Sequence, residues 1–302
     1  MSKKTGVLLM AYGGPNSLDD VEPYLLDVRG GRPTAPELVA EVRHRYALIG
    51  GRSPLLDLSN AQANALQRVL GDRYCVYLGM RHWHPYIKET MARIAADGIE
   101  HLIAIALAPH YSKLSIGAYM RKVQEARDAL TPNLRVSEVL SWSTHPLFLD
   151  ALAEKSKRAL EKFPMERRAE VEFIFSAHSL PERIVHDNDP YPHELQATVA
   201  GVVERLGSVR HQFAYQSAGS TREKWLGPDV GQVIAQLATR GKRNIIVQPV
   251  GFVCDHVEIL YDVDIVYKQQ AEKLGVHLER AESLNDSPLL IAGLADLVEN
   301  HS

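Results

Sequence analysis

Short apolar runs alternate with amphipathic stretches along this whole chain, and that alternation restricts its fold more than any other feature. Apolar runs bounded by turn residues read as strands, and the stretches of helical period between them read as helices. Together they form βαβ units and a parallel sheet. The first run is Val7-Leu8-Leu9-Met10-Ala11. Helices are expected over 18–28, 35–48, 85–96 and 116–130, and strands over 74–78, 102–107 and 134–139. The order then restarts. Helices at 147–162, 194–206, 230–239 and 257–274 alternate with strands at 171–175, 213–215, 244–248 and 277–279, and a last helix covers 288–300. The fold expected is α/β, with two Rossmann-like domains, each a parallel β-sheet flanked by helices. A length of 302 residues suits two such domains of roughly 150 residues. Their expected extents are 1–143 and 144–285, joined near 141–146, with the C-terminal helix 286–302 packing back on the first domain.

Several function classes are disfavoured. The 34 basic and 37 acidic residues give a net charge of −3, without the basic excess of a nucleic-acid binder. The only cysteines, Cys75 and Cys254, exclude a disulfide framework and a four-cysteine iron–sulfur or zinc site. The apolar stretch near the N-terminus is too short for a signal-peptide core or a membrane span, so a cytoplasmic chain without a transmembrane segment is expected. No G-x-x-x-x-G-K-[ST], G-x-G-x-x-G after the first strand, H-E-x-x-H or G-x-S-x-G motif is present.

Ligands of open parallel sheets bind at the carboxyl ends of the strands. Those ends carry Tyr12-Gly13-Gly14-Pro15, Ala108-Pro109-His110-Tyr111-Ser112, Ser176-Ala177-His178-Ser179 and Cys254-Asp255-His256-Val257-Glu258. Two halves facing one another would bring Tyr12, His110, His178, His256 and Glu258 to one cleft. His178 and Glu258 can hold a transition metal loosely, through one imidazole and one carboxylate. The plainer readings are a hydrogen-bonded loop histidine and a D-x-x-E capping box, with Asp255 as N-cap and Glu258 reaching back. For Glu258 the cap is the commoner case. Glu258 and Asp262 share a helix face, as part of a site or as an exposed acidic stripe. His82 is an outer metal-docking candidate, with an ordinary loop histidine the commoner case. Ser176 and Ser179 beside His178 also suggest a serine hydrolase, without an elbow or a placed acid partner.

Phe175-Ser176-Ala177-His178-Ser179-Leu180-Pro181, Gln216-Ser217-Ala218-Gly219, Trp225-Leu226-Gly227-Pro228-Asp229-Val230 and Gly251-Phe252-Val253-Cys254-Asp255-His256-Val257-Glu258 occur in that order. With these motifs the chain resembles the ferrochelatase family over nearly its whole length. That family has a class II chelatase-like fold and inserts Fe²⁺ into a porphyrin. Met10-Ala11-Tyr12-Gly13-Gly14-Pro15, Val28-Arg29-Gly30-Gly31-Arg32 and the stretch Arg45-Tyr46 to Ser53-Pro54-Leu55 resemble the coproporphyrin III ferrochelatases of Gram-positive-type bacteria.

The resemblance implies that His178 and Glu258 are catalytic and that Tyr12, His178 and Glu258 contact the metal, Tyr12 from the opposite face of the ring. It implies that Tyr12, Arg29, Arg45, Tyr46, Ser53 and Tyr119 bind the substrate. Coproporphyrin III carries four propionates where protoporphyrin IX has two, and arginine forks suit the added carboxylates. The implied product is coprohaem III; a protoporphyrin IX enzyme, a porphyrin or haem carrier without turnover, and a chelatase for another metal are the alternatives. Fe²⁺ is a substrate in this reading, with no permanent cofactor and no iron–sulfur cluster. A transient handover to a downstream haem-pathway enzyme and a monomeric state are expected. One departure is Val266, which stands where relatives continue an acidic ladder beyond Glu258 and Asp262. A second metal site or proton path along that ladder is correspondingly weakened.

Overall fold

The computed structural model describes residues 5–219, 221 and 223–302 and sets β1 (Thr5–Ala11) between two other strands of a sheet. Val7, Leu8, Leu9 and Met10 are fully buried. A parallel strand covered by helices on both faces is buried on both sides, which is why it reads as an unbroken apolar run. The chain continues through α1 (Val21–Val28), α2 (Pro36–Leu48), α3 (Leu55–Leu70), β2 (Tyr74–Met80), α4 (Ile87–Ala96), β3 (His101–Ala106), α5 (Ile116–Leu130) and β4 (Arg135–Val139). All pairings are parallel, in the order β2-β1-β3-β4, with Leu8 opposite both Tyr77 and Ala104. Ile87, Met91 and Ile94 of α4 and Ile116, Met120 and Val123 of α5 form one core with Leu8, Met10, Leu102 and Ala104. Burial of each large aliphatic side chain is worth about 1.5–3 kcal/mol, so this packing fixes the sheet that presents the strand ends.

A second compact unit spans Ser143–Leu284. Its elements are α6 (Pro146–Glu161), β5 (Glu172–His178), α7 (Arg183–His186), α8 (Tyr191–Leu206), β6 (Arg210–Gln216), α9 (Val230–Thr239), β7 (Asn244–Pro249), α10 (Val257–Leu260), α11 (Lys268–Lys273) and β8 (His277–Arg280). The sheet is again parallel, in the order β6-β5-β7-β8. α12 (Pro288–Asn300) belongs to the first unit with Asn285–Ser302 and packs on α3.

Three elements differ from the sequence expectation, the smallest being α7, a single additional turn at Arg183–His186. α3 is an additional helix. Its buried face starts with Ser59, Gln62 and Ala63, so the apolar stripe emerges only at Leu66 and Leu70. Gln62 is satisfied by tertiary structure, its Nε2 donating to the Asn285 carbonyl at 2.7 Å. The expected helix over 257–274 is interrupted by a π-helical segment, Asp262–Tyr267, in which the Val266 N–H donates to the Tyr261 carbonyl at 3.0 Å. Ile259, Val263, Tyr267 and Ala271 are buried at intervals of four. That interval reports a helix without distinguishing a regular turn from a π turn.

Each sheet changes direction of winding beside its first strand. The switch points lie between β1 and β3 and between β5 and β7, where ligands of such sheets bind. Among the described residues, no helix is long and apolar enough to cross a membrane.

Candidate active site

His178 ends β5, and Glu258 lies in the first turn after β7, so both stand at the switch point of the second unit. His178 Nε2 is 3.4 Å from Glu258 Oε1, and His256 Nε2 is 3.6 Å from Glu258 Oε2. The other nitrogen of each ring is committed to main chain. His178 Nδ1 donates to the Ser179 carbonyl, and His256 Nδ1 donates to the Cys254 carbonyl at 2.9 Å. A carbonyl only accepts, so both rings keep the proton on Nδ1 and turn Nε2 to the carboxylate.

Burial opposes the charged form of His178. The Glu258 charge and hydrogen bond, the Ser179 carbonyl and the Asp262 charge outweigh it, and His178 titrates above the ordinary imidazole range. Burial likewise opposes the Glu258 carboxylate, but His178 and then His256 hold its pKa far below the usual carboxylate range. The two side chains remain 30% and 31% exposed, open enough for an ion to reach them. Phe252 and Trp225 form the wall, with ring centres 6.5 and 6.3 Å from that of His178. Among the described residues, no three His, Cys, Asp or Glu side chains form a metal cage. A carboxylate beside imidazoles, outside any such cage, can receive a divalent ion and release it, since few strong ligands hold it.

A buried polar chain sets the pair. The Ser176 hydroxyl donates to Gln216 Oε1 at 2.8 Å, and Gln216 Nε2 donates to the Glu258 carbonyl at 2.8 Å. The next residue, Ser217, donates to the Asp262 carboxylate. Consecutive residues of a strand face opposite ways. Ser217, at φ 58°, is in the left-handed region and breaks that alternation, so both side chains meet the same helical segment. Asp262 is thereby part of this network rather than of a free acidic stripe.

Several plainer readings of the sequence fall away here. The N-cap of α10 is His256, and no side chain caps the helix. Asp255 instead accepts from the Ser283 hydroxyl at 2.7 Å and pairs with Arg280 at 3.2 Å. The capping box is therefore absent, because a tertiary ion pair takes the would-be cap. Ser176 is fully buried and Ser179 is 1% exposed, donating to the Leu226 carbonyl, so neither is a nucleophile.

In the first unit, Tyr12 follows β1 and is 40% exposed. His82 packs on it with ring centres 4.7 Å apart, and the His82 amide donates to the Tyr12 carbonyl at 2.9 Å. His82 is 8% exposed, with Nδ1 2.8 Å from Asp27 Oδ2, and burial holds its pKa below the ordinary imidazole range. These contacts favour a structural His82 over an outer docking residue. His110 is buried as well, and burial pushes it down to about 3.

The Arg81 guanidinium carbon lies 5.9 Å from the Tyr12 ring centre and 5.6 Å from that of Tyr119, joining those two residues. A Cβ on Gly14 would sit 2.5 Å from Ser53 Oγ and 3.6 Å from the Tyr46 hydroxyl. Glycine is therefore required where the Tyr12 turn meets Ser53 and Tyr46. Tyr12, Tyr46, Ser53 and Tyr119 thus gather at one end of the first sheet. Arg45 lies in the last turn of α2, paired with Glu41, and Arg29 is an exposed residue at the end of α1. α1 is tied to the cluster through Asp27, two residues before Arg29. Arg81 and Arg280 were given no role from the sequence, and Gln216 and Ser217 entered there only as part of a motif. Each sits at or just beyond a strand end, so a full census of those positions finds them.

Two four-stranded parallel sheets flanked by helices are a fold shared with solved chelatases. SirB from Bacillus subtilis, solved with Fe³⁺, shares the fold at a TM-score of 0.63 and 10% identity, over 99% of this chain and 95% of that one. The sirohydrochlorin chelatase SirB from Bacillus subtilis subspecies spizizenii, in complex with cobalt, gives 0.61 at 8% identity, with the same coverage. The ferrochelatase family model matches residues 4–302, and the chain belongs to that family. It is 46% identical to a ferrochelatase of Herpetosiphon aurantiacus, over 99% of both chains. It is 40% identical to the coproporphyrin III ferrochelatase of Geobacillus thermodenitrificans, over 99% of this chain and 96% of that protein. The coproporphyrin III ferrochelatase of Listeria monocytogenes is 38% identical, over 99% and 98%. The chain is an enzyme that inserts metal into a porphyrin.

Proposed function

We propose that this enzyme inserts Fe²⁺ into coproporphyrin III, giving coprohaem III, and that His178 and Glu258 carry the chemistry. The observation that supports the roles most strongly is the half-open Glu258 carboxylate at a switch point, with the Nε2 of His178 turned to one of its oxygens. Coproporphyrin III relatives at 40% and 38% identity support the substrate.

Insertion exchanges one dication for two pyrrole protons. Fe²⁺ arrives at Glu258 and repels the charge on the neighbouring imidazolium, which favours its deprotonation. Because the Ser179 carbonyl keeps the proton on Nδ1, the proton leaves from Nε2. His178 Nε2 then takes the first pyrrole proton as a positioned base. Glu258 relays the second once the ion has passed to the ring. Tyr12 offers its phenol to the iron, while Arg29, Arg45, Tyr46, Ser53 and Tyr119 receive the propionates. Distortion of the flat ring is offset by these remote contacts. The reaction needs no resident cofactor, and two cysteines are too few for a cysteine-ligated iron–sulfur cluster. The enzyme works as a cytoplasmic monomer and hands its product transiently to a downstream haem-pathway enzyme; it engages no nucleic acid.

Binding tests the substrate assignment. A charge-assisted hydrogen bond contributes about 1.5–3 kcal/mol, and less where the partners are solvated. Coproporphyrin III is therefore expected to bind at least about tenfold tighter than its tetramethyl ester in fluorescence titrations, with Arg45→Leu removing part of the difference. Equal affinities for acid and ester would refute propionate recognition.

A further inference from the structure

Glu258 is carried by a segment that departs from regular helix, and a residue far from it in sequence spans that segment. Arg280 ends β8. Its Nε and Nη2 donate to the two oxygens of Asp264 at 2.7 and 2.9 Å, and its Nη1 lies 3.2 Å from Asp255 Oδ1. Asp255 precedes Glu258 by three residues, and Asp264 lies within the π-helical segment that follows. The guanidinium thus ties the entrance of the segment to its distorted turn. It is 15% exposed, with Asp255 at 23% and Asp264 at 34%.

We propose that Arg280 is a positioning residue for metal insertion, bridging Asp255 and Asp264 so that the segment carrying Glu258 keeps its π-helical form. A π turn holds one residue more than an α turn. Reverting to α-helix rotates the residues before it by about 100° relative to those after it. Tyr267, the last residue of the turn, and Ala271 beyond it are buried in the core, and so are Ile259 and Val263 on the Glu258 side. A regular helix could not keep both sets buried in register, and the change would displace Glu258, the neighbour of Ile259, relative to His178. A bidentate arginine also opposes the mutual repulsion of two partly buried carboxylates, which its removal would leave face to face. Gln216 and Ser217 hold the inner side of the segment, and Arg280 holds its outer side.

The inference rests on the role proposed for Glu258. Its test compares Arg280→Met, Arg280→Lys, Asp264→Asn and Glu258→Gln in the full-length enzyme. Arg280→Met is expected to lower kcat about tenfold to a hundredfold, the effect of moving a reacting group by about an ångström, with porphyrin KM within threefold. Arg280→Lys should recover part of the rate, and amides of residues 257–267 should exchange faster in Arg280→Met while the first unit stays protected. Asp264→Asn should reproduce the loss, and stands in if Arg280→Met does not fold. Wild-type kcat in Arg280→Met, or a loss accompanied by faster exchange throughout both units, would overturn the positioning role. Full activity in Glu258→Gln would instead end the reading of Glu258, and this inference with it.

Discussion

Replacing His178 with alanine is expected to lower the rate of Fe²⁺ insertion by about 10²- to 10⁴-fold, the range a positioned acid–base group supplies. The variant should fold. His178 is the last residue of β5, whose preceding residues are fixed by parallel pairing to β6 and β7, and its side chain is 30% exposed. Truncation there is expected to cost about 1 kcal/mol of stability, the typical value for a substitution that leaves no large sealed cavity. Porphyrin affinity should change less than threefold, because the residues proposed to hold the propionates belong to the other unit. Anaerobic single-turnover absorbance measurements give the rate, and thermal unfolding gives the stability. A rate within threefold of wild type in folded protein would remove His178 from the mechanism.

Glu258→Gln should produce the second large effect, a fall of about 10²-fold in rate together with a displaced pH profile. The amide keeps the shape of the carboxylate and loses its charge. Against the opposing effect of burial, Glu258 is the largest influence lifting His178. His178 must lose its proton before it acts as base, so kcat/KM in wild type rises as pH climbs through a value above the ordinary imidazole range. In the variant that limb moves to lower pH. Linkage has a definite sign here. His178, raised on folding, contributes stability that is complete below the ordinary imidazole range and lost as pH rises through its folded value. Glu258, lowered on folding, contributes above the ordinary carboxylate range and loses that contribution as pH falls through its own folded value. The pair therefore stabilises the fold most between those ranges. An unshifted limb in Glu258→Gln would show that the carboxylate does not control the imidazole.

The α/β class was legible because β1, β3, β5 and β7 are buried on both faces and so appear as continuous apolar runs. Edge strand β6 was seen only at 213–215, since Arg210, His211 and Gln212 carry no such signal. α3 escaped because its buried face begins with Ser59 and Gln62, whose burial depends on a helix more than two hundred residues away. The π turn escaped because apolar spacing fixes the face of a helix and not its hydrogen-bond step.

At the site, strand-end logic picked out His178, Glu258 and Tyr12 directly. Local spacing alone misread Asp255 and Glu258 as a capping box. What separates the readings is Arg280, a tertiary partner that takes Asp255 and leaves Glu258 facing two imidazoles. The family resemblance supplied Arg29, Arg45, Tyr46, Ser53 and Tyr119, which periodicity could not single out. The structure adds Arg81 between two of the tyrosines.

The most direct measurement is anaerobic steady-state insertion of Fe²⁺ by the purified chain, with coproporphyrin III and protoporphyrin IX compared under identical conditions. Many turnovers on coproporphyrin III, with kcat/KM at least about tenfold above that on protoporphyrin IX, are predicted from the two additional carboxylates. A preference for protoporphyrin IX would contradict the substrate assignment, and binding of one equivalent of either porphyrin without turnover would contradict the catalytic account of His178 and Glu258.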